Sequence, residues 1–225
     1  MLVKSFGCSF IFGTELSDQV ANTPSQLTWP AVFSRHHGHH HICHASGGVG
    51  NLAIADRVLR EIALDVTALF IINWTWIDRF DYINTDKNSL WCTIIPGQQD
   101  DLARTYYQEL HSEKRDKLTS LMAIRTVIDS LRERDFPFIM TYMDKLLFDQ
   151  VYSNASAPGA AGPAVKVLQD YVKPYMTTFE GKTFLDWSRC HGYPEGARWH
   201  PLEQAHAAGA ELMIQAFDKQ NTNDR

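Results

Sequence analysis

The apolar run Val66-Thr67-Ala68-Leu69-Phe70-Ile71-Ile72, ending at Asn73, is almost unbroken. A run of that length without polar alternation predicts a central parallel strand buried on both faces. Phe136 to Tyr142 has the same character, with Pro137 tolerable only at its very start. Leu2 to Phe6, about His39 to His44, and Thr183 to Trp187 also read as strands, for five in all. Helical periodicity lies between them. Ile54, Ala55, Val58, Leu59 and Ile62 form one apolar stripe, with Asp56, Arg57, Arg60 and Glu61 turned away. Leu118, Leu121, Met122, Ile128 and Leu131 repeat the pattern within a long segment from about Asp100 to Arg134. Leu202, Ala205, Gly209, Leu212, Met213 and Ala216 make the last stripe, with Pro201 suited to its first turn. Strands alternating with helices predict an α/β protein, a three-layer α/β/α sandwich on a five-stranded parallel sheet.

Two stretches depart from this minimal sandwich. Residues 80–99 are polar, with aromatics and Pro96-Gly97, and residues 144–180 include the small-residue run from Ser153 to Pro163. Insertions of this kind form lids and binding loops, or plain surface excursions. At 225 residues the chain suits a single domain, 1–225, carrying both insertions.

Charge and composition remove several function classes. The net charge of -5 comes with basic residues spread along the chain, which argues against a nucleic-acid partner. No apolar run approaches the roughly 20 residues of a membrane span, and the N-terminus lacks a signal-peptide pattern. Cys8, Cys43, Cys92 and Cys190 have neither CxxC spacing nor a disulfide framework. The expectation is a cytoplasmic protein with no membrane partner.

The candidate chemistry sits at the two ends. Ser9 follows the first strand in Gly7-Cys8-Ser9-Phe10, and His200-Pro201 precedes the last helix. A serine hydroxyl becomes a nucleophile when a histidine takes its proton, and both strand ends open on the same sheet edge. Cys8 is the poorer nucleophile, since strand alternation turns it away from Ser9. Gly47-Gly48-Val49-Gly50-Asn51 supplies bare backbone amides at a strand-to-helix turn. The same turn could simply lead into a helix capped by Asn51. It lacks the lysine and the spacing of a phosphate loop.

Taken together and in this order, these three blocks resemble those of the SGNH, or GDSL-type, hydrolases. The resemblance implies a flavodoxin-like topology and a serine esterase that removes a small acyl group from a sugar, lipid or similar carrier, without a cofactor. It makes Ser9 the nucleophile, His200 the base, and the amides of Ser9 and of Gly48 or Gly50 the oxyanion donors. The family's Gly-x-Asn-Asp block falls on Asn73-Trp74-Thr75-Trp76. Thr75 then stands where the family has its donor asparagine, and a two-residue shift would let Asn73 serve. The family's Asp three residues before the histidine is replaced by Ala197. Glu195 ranks first as the substitute carboxylate, ahead of Asp186 or a backbone carbonyl. Trp74 and Trp199 are candidates for the substrate pocket; Arg79 reads first as a surface salt bridge with Asp78 or Asp81, and alternatively as positive charge added to the site by a side chain turned inward. The missing Asp and the altered block also fit an inactive binding or scaffold protein of the same fold.

Six histidines at 36, 37, 39, 40, 41 and 44 suggest a metal-binding enzyme as a further rival. Strand alternation divides His39 and His41 from His40, and only Cys43 could complete a set, so no functional metal is expected. His206 lies on the last apolar stripe and reads as a core histidine.

Overall fold

A computed structural model describes residues 1–87, 90–149 and 162–223. Four parallel strands, β1 (Leu2–Phe6), β2 (His40–Cys43), β3 (Leu69–Trp74) and β6 (Phe138–Tyr142), form a sheet in the order β2-β1-β3-β6. The apolar run at 69–74 is the inner strand β3, buried at every residue. The remaining two strands, β4 (Phe80–Asn84) and β5 (Leu90–Ile94), pair antiparallel as a separate hairpin. The insertion expected at residues 80–99 is therefore built largely of this hairpin.

Helices cover both faces of the sheet. The short α1 (Ser9–Phe12) follows β1, and α2 (Trp29–His36) precedes β2. Then come α3 (Asn51–Ala63), α4 (Asp101–Thr105), α5 (Glu113–Glu133), α6 (Gly162–Val172), α7 (Phe184–Cys190) and α8 (Glu203–Asn223). α5 packs on both α3 and α6, while α2 packs on α8. The expected helix over 100–134 is interrupted. A π-helical turn at Tyr106–Leu110 separates α4 from α5, and Ser112 restarts the helix by accepting a hydrogen bond from the Arg115 amide. Met122, placed on the apolar stripe, is instead 56% exposed.

Among the described residues the sheet has four strands, not five. Thr183 to Trp187, expected as the fifth, opens α7 instead. Its Thr183 hydroxyl accepts from the Asp186 amide at 3.2 Å and donates to the Asp186 carboxylate at 2.9 Å. This local cap outweighs the β propensity of Phe184, Leu185 and Trp187. The place beside β6 is taken by a single bridge, Met140 to Met176. The last helix begins at Glu203, two residues beyond Pro201, because Pro201 is held in a bridge with Glu195. Most of the Ser153 to Pro163 run lies outside the described residues.

His206 is 2% exposed, and its Nδ1 accepts the Trp29 amide at 3.1 Å. Burial pushes its pKa down to about 3. Burial likewise lowers His41, which bonds the Ser5 hydroxyl at 2.8 Å, to about 4, with the charges of His40 and His44 adding to the shift. In the unfolded chain both histidines titrate near the ordinary value of about 6.5. Between that value and pH 3–4 the unfolded chain therefore binds more protons, and folding stability falls as the pH drops. Urea midpoints should decline from pH 7 to pH 4.5, and His206→Gln should flatten that slope. A midpoint independent of pH across this range would contradict the buried neutral state.

Candidate active site

The topological switch point, where the chain leaves β1 for opposite sides of the sheet, lies at the carboxyl ends of β1 and β3. Ser9 is the first residue of α1, immediately beyond β1, and its own amide has no carbonyl one turn back to bond. Cys8, the N-cap of α1 rather than a strand residue, is fully buried in the core.

His200 reaches this point from the other end of the chain. Its Nε2 lies 2.8 Å from Ser9 Oγ, and its Nδ1 lies 2.6 Å from Glu15 Oε2. A carboxylate can only accept, so Nδ1 carries the ring proton of the neutral imidazole and Nε2 is left to accept from the serine hydroxyl. The Arg198 amide donates to both Glu15 oxygens, at 3.0 and 3.1 Å. Burial raises the Glu15 pKa, but the hydrogen bonds from His200 and the Arg198 amide outweigh it, and the carboxyl sits below its ordinary value. Gly196 makes this possible. A Cβ there would meet the Glu15 carboxyl carbon at 2.6 Å, so the 196–200 turn can wrap the carboxylate only with glycine at that position.

Glu195, the carboxylate favoured from sequence, is elsewhere. Its oxygens bond Arg189 Nε at 2.7 Å and Nη2 at 3.1 Å, which ties it to α7 rather than to the imidazole. Asp186 is likewise engaged with Thr183 and Lys145. Glu15 escaped the sequence reading because it lies only six positions after Ser9, while the family pattern directs attention to the residues before His200.

A cleft of about 690 Å³ opens over Ser9 and His200. Gly48 and Trp199 line it, as expected, and Trp76 and Arg79 do so as well. Several expected residues do not. The Gly50 amide donates to Asp81 Oδ1 at 2.9 Å, which spends the donor the oxyanion would need. Asn73 lies within β3 opposite Thr141, and its amide donates to the Thr141 hydroxyl at 2.7 Å. Thr75 is 1% exposed, its backbone bracketed by the Asn51 side chain at 2.8 and 3.2 Å. Asn51 is thus the first residue of α3 and a tie to the end of β3, rather than the cap. Trp74 still belongs to the sheet and is fully buried; Trp76, beyond the strand end, reaches the cleft. Arg79 turns inward instead of pairing on the surface. Its Nη1 donates to the Val49 carbonyl at 2.9 Å, and its guanidinium lies 4.8 Å from the centre of the Trp76 ring.

Asp81, from the hairpin, holds the glycine turn in place. Besides Gly50 it accepts from the Ala53 amide at 2.9 Å and the Thr93 hydroxyl at 2.5 Å. Burial nonetheless pushes its carboxyl above the ordinary value. The histidine-rich segment stays apart from the cleft, and no group of three His, Cys, Asp or Glu able to hold a metal occurs among the described residues. Nor is any helix among them long and apolar enough to cross a membrane.

Among solved structures the chain is similar to a lipolytic protein of the G-D-S-L family from Veillonella parvula, with a TM-score of 0.52 and 12% identity over 96% of this chain and 98% of that one. A G-D-S-L protein from Desulfitobacterium hafniense gives 0.50 and 12% over 95% and 98%. The esterase EstA from Pseudoalteromonas gives 0.51 and 9% over 98% of both chains. This chain has the SGNH-hydrolase fold. At these identities the likeness is one of fold alone; no family model and no curated protein matches the sequence.

The fold leaves the glycine turn resting on one buried carboxylate. Asp81→Ala would strand two amides and a hydroxyl, at about 1–3 kcal/mol for each group left unsatisfied. Gly50→Ala would set a Cβ 2.5 Å from Asp81 Oδ2. Both variants should lower the urea midpoint clearly. Midpoints equal to that of the unmodified protein would show that the hairpin does not brace the turn.

Proposed function

We propose that this protein is a serine esterase in which Ser9, His200 and Glu15 act as the catalytic triad. The observation that carries the reading is the continuous chain of two hydrogen bonds, Ser9 Oγ to His200 Nε2 and His200 Nδ1 to Glu15. Ser9 Oγ attacks the acyl carbon while His200 Nε2 takes its proton, and the imidazolium returns that proton to the departing alkoxide. Water, activated by the same nitrogen, then releases the acyl group and restores Ser9. Glu15 keeps the ring in the correct tautomer and stabilises the imidazolium. The amides of Ser9 and Gly48 face the developing oxyanion as its donors. The side-chain amide that the family places after the third strand has no counterpart lining the cleft among the described residues, since Asn73 donates to Thr141 and Thr75 is buried outside the cleft. One missing donor costs about 3 kcal/mol of transition-state stabilisation, so turnover should be slow for this fold.

The substrate is proposed to be an ester on a small molecule, glycan or lipid, with no cofactor required. Support for the class comes from similar folds that act on such esters, among them an acetyl xylan esterase from Butyrivibrio proteoclasticus, of whose length this chain covers 64%.

Hydrolysis of 4-nitrophenyl acetate by the purified protein tests this directly. Ser9→Ala should reduce kcat by about 10⁴-fold or more, and Glu15→Gln by about 10³–10⁴-fold, through loss of the tautomer lock. Glu195→Gln should stay within a few-fold of the unmodified protein. Hydrolysis equal in the protein and Ser9→Ala, with both folded, would instead favour a binding protein that has kept the hydrolase fold.

A further inference from the structure

Three arginines, Arg79, Arg189 and Arg198, line the cleft above Ser9, and no carboxylate among the described residues lines it. This is unexpected in a chain of net charge -5. The three are not equivalent. Arg189 is neutralised by its two bonds to Glu195. Arg79 is held by the Val49 carbonyl and the Trp76 ring, neither of which carries charge. Asp81 is turned onto the α3 amides and Thr93, while Asp78 feels the Arg79 charge from outside the cleft and does not line it. Arg198 lies in the exposed 196–200 turn, and its guanidinium has no ion pair or hydrogen bond among the described residues. Its backbone amide is fixed by Glu15, so the root of that side chain stands one residue from the Trp199 that precedes His200.

A preorganised guanidinium and a free one therefore face the same space as the nucleophile. Guanidinium groups recognise carboxylate and phosphate oxyanions through paired N–H donors. Trp76 and Trp199 add two aromatic faces, which suit the apolar or ring portion of a ligand. We propose that the ester substrate carries an anionic group, a carboxylate or a phosphate, which Arg198 and Arg79 hold while Ser9 attacks the neutral ester. This rests on the esterase reading and narrows its substrate class.

Three aryl acetates that differ only in the group para to the ester provide the test. They are 4-acetoxybenzoate, 4-acetoxyphenyl phosphate and the neutral methyl 4-acetoxybenzoate, each normalised to its own hydroxide-catalysed rate. The charged esters should exceed the neutral one in kcat/KM by about tenfold, the worth of one charge-assisted contact. The preference should shrink in high salt and fall towards unity in Arg198→Gln, which keeps the amide that orients Glu15. Preference for the carboxylate over the phosphate, or the reverse, identifies which oxyanion the cleft fits. Equal rates on charged and neutral esters would overturn the anion site and leave the esterase reading intact. Failure of all three to turn over would count against the esterase reading. Tryptophan fluorescence of Ser9→Ala titrated with 4-hydroxybenzoate and with its methyl ester then decides the anion site alone. Saturation by the acid only supports it, and saturation by neither or by both equally overturns it.

Discussion

The His200 imidazole joins residues that are 191 and 185 positions away in sequence, and the cleft opens over that junction. The length of the intervening chain is not the obstacle it first suggests. Closure entropy grows logarithmically, by about 0.6 kcal/mol for each doubling of loop length. What two hydrogen bonds cannot supply is alignment, and this comes from a seam between residues 15–29 and 198–206. The Ser17 amide bonds Glu203, the Trp29 amide bonds His206, and Glu15 accepts from the Arg198 amide. Apolar packing of α2 on α8 closes the same seam from beneath. Both partners of the imidazole are thus presented by segments already fastened to one another, so little ordering is left for the triad itself to impose.

The strands and helices readable in the sequence are those whose burial is uniform or strictly periodic. The run at 69–74 could only be an inner strand, and the stripe at 54–62 could only be a helix lying on a sheet. The misreadings share one cause, which is that a local contact decided the outcome. Thr183 and Asp186 cap a helix where five apolar-rich residues suggested a strand. The bridge between Glu195 and Pro201 delays a helix that the proline seemed to open. Neither contact leaves a periodic trace, so hydrophobic patterning passes over both.

The candidate site divides the same way. Ser9, His200 and Gly48 were legible because each sits where a strand or helix ends, and the fold fixes where such ends lie. Glu15 was not, because the carboxylate that meets His200 comes from the turn after Ser9 and not from the residues before the histidine. Two features still carried a trace of it. Ala197 ruled out the usual source, and Gly196 stands beside it as a residue with no side chain to obstruct an incoming acid. An absent acid next to a glycine is a signal that the space has been left for a partner from elsewhere in the chain. Gly50 makes the same statement about Asp81, since a Cβ at either glycine would collide with the carboxylate it accommodates.

In the proposed esterase Arg198 would couple this architecture to specificity. Its amide holds Glu15 while its side chain lines the cleft, so one residue would serve the proposed triad through the backbone and the ligand through its charge. The two roles separate cleanly, because a backbone amide survives almost any substitution. In the proposed reaction an added cation opposes the imidazolium but favours the oxyanion formed with it, so its net effect is set by which of the two it stands nearer. Glu15 lies against the imidazole, where its charge offsets the imidazolium, and it engages Arg198 only through the backbone amide, which leaves the arginine side chain on the cleft to a ligand.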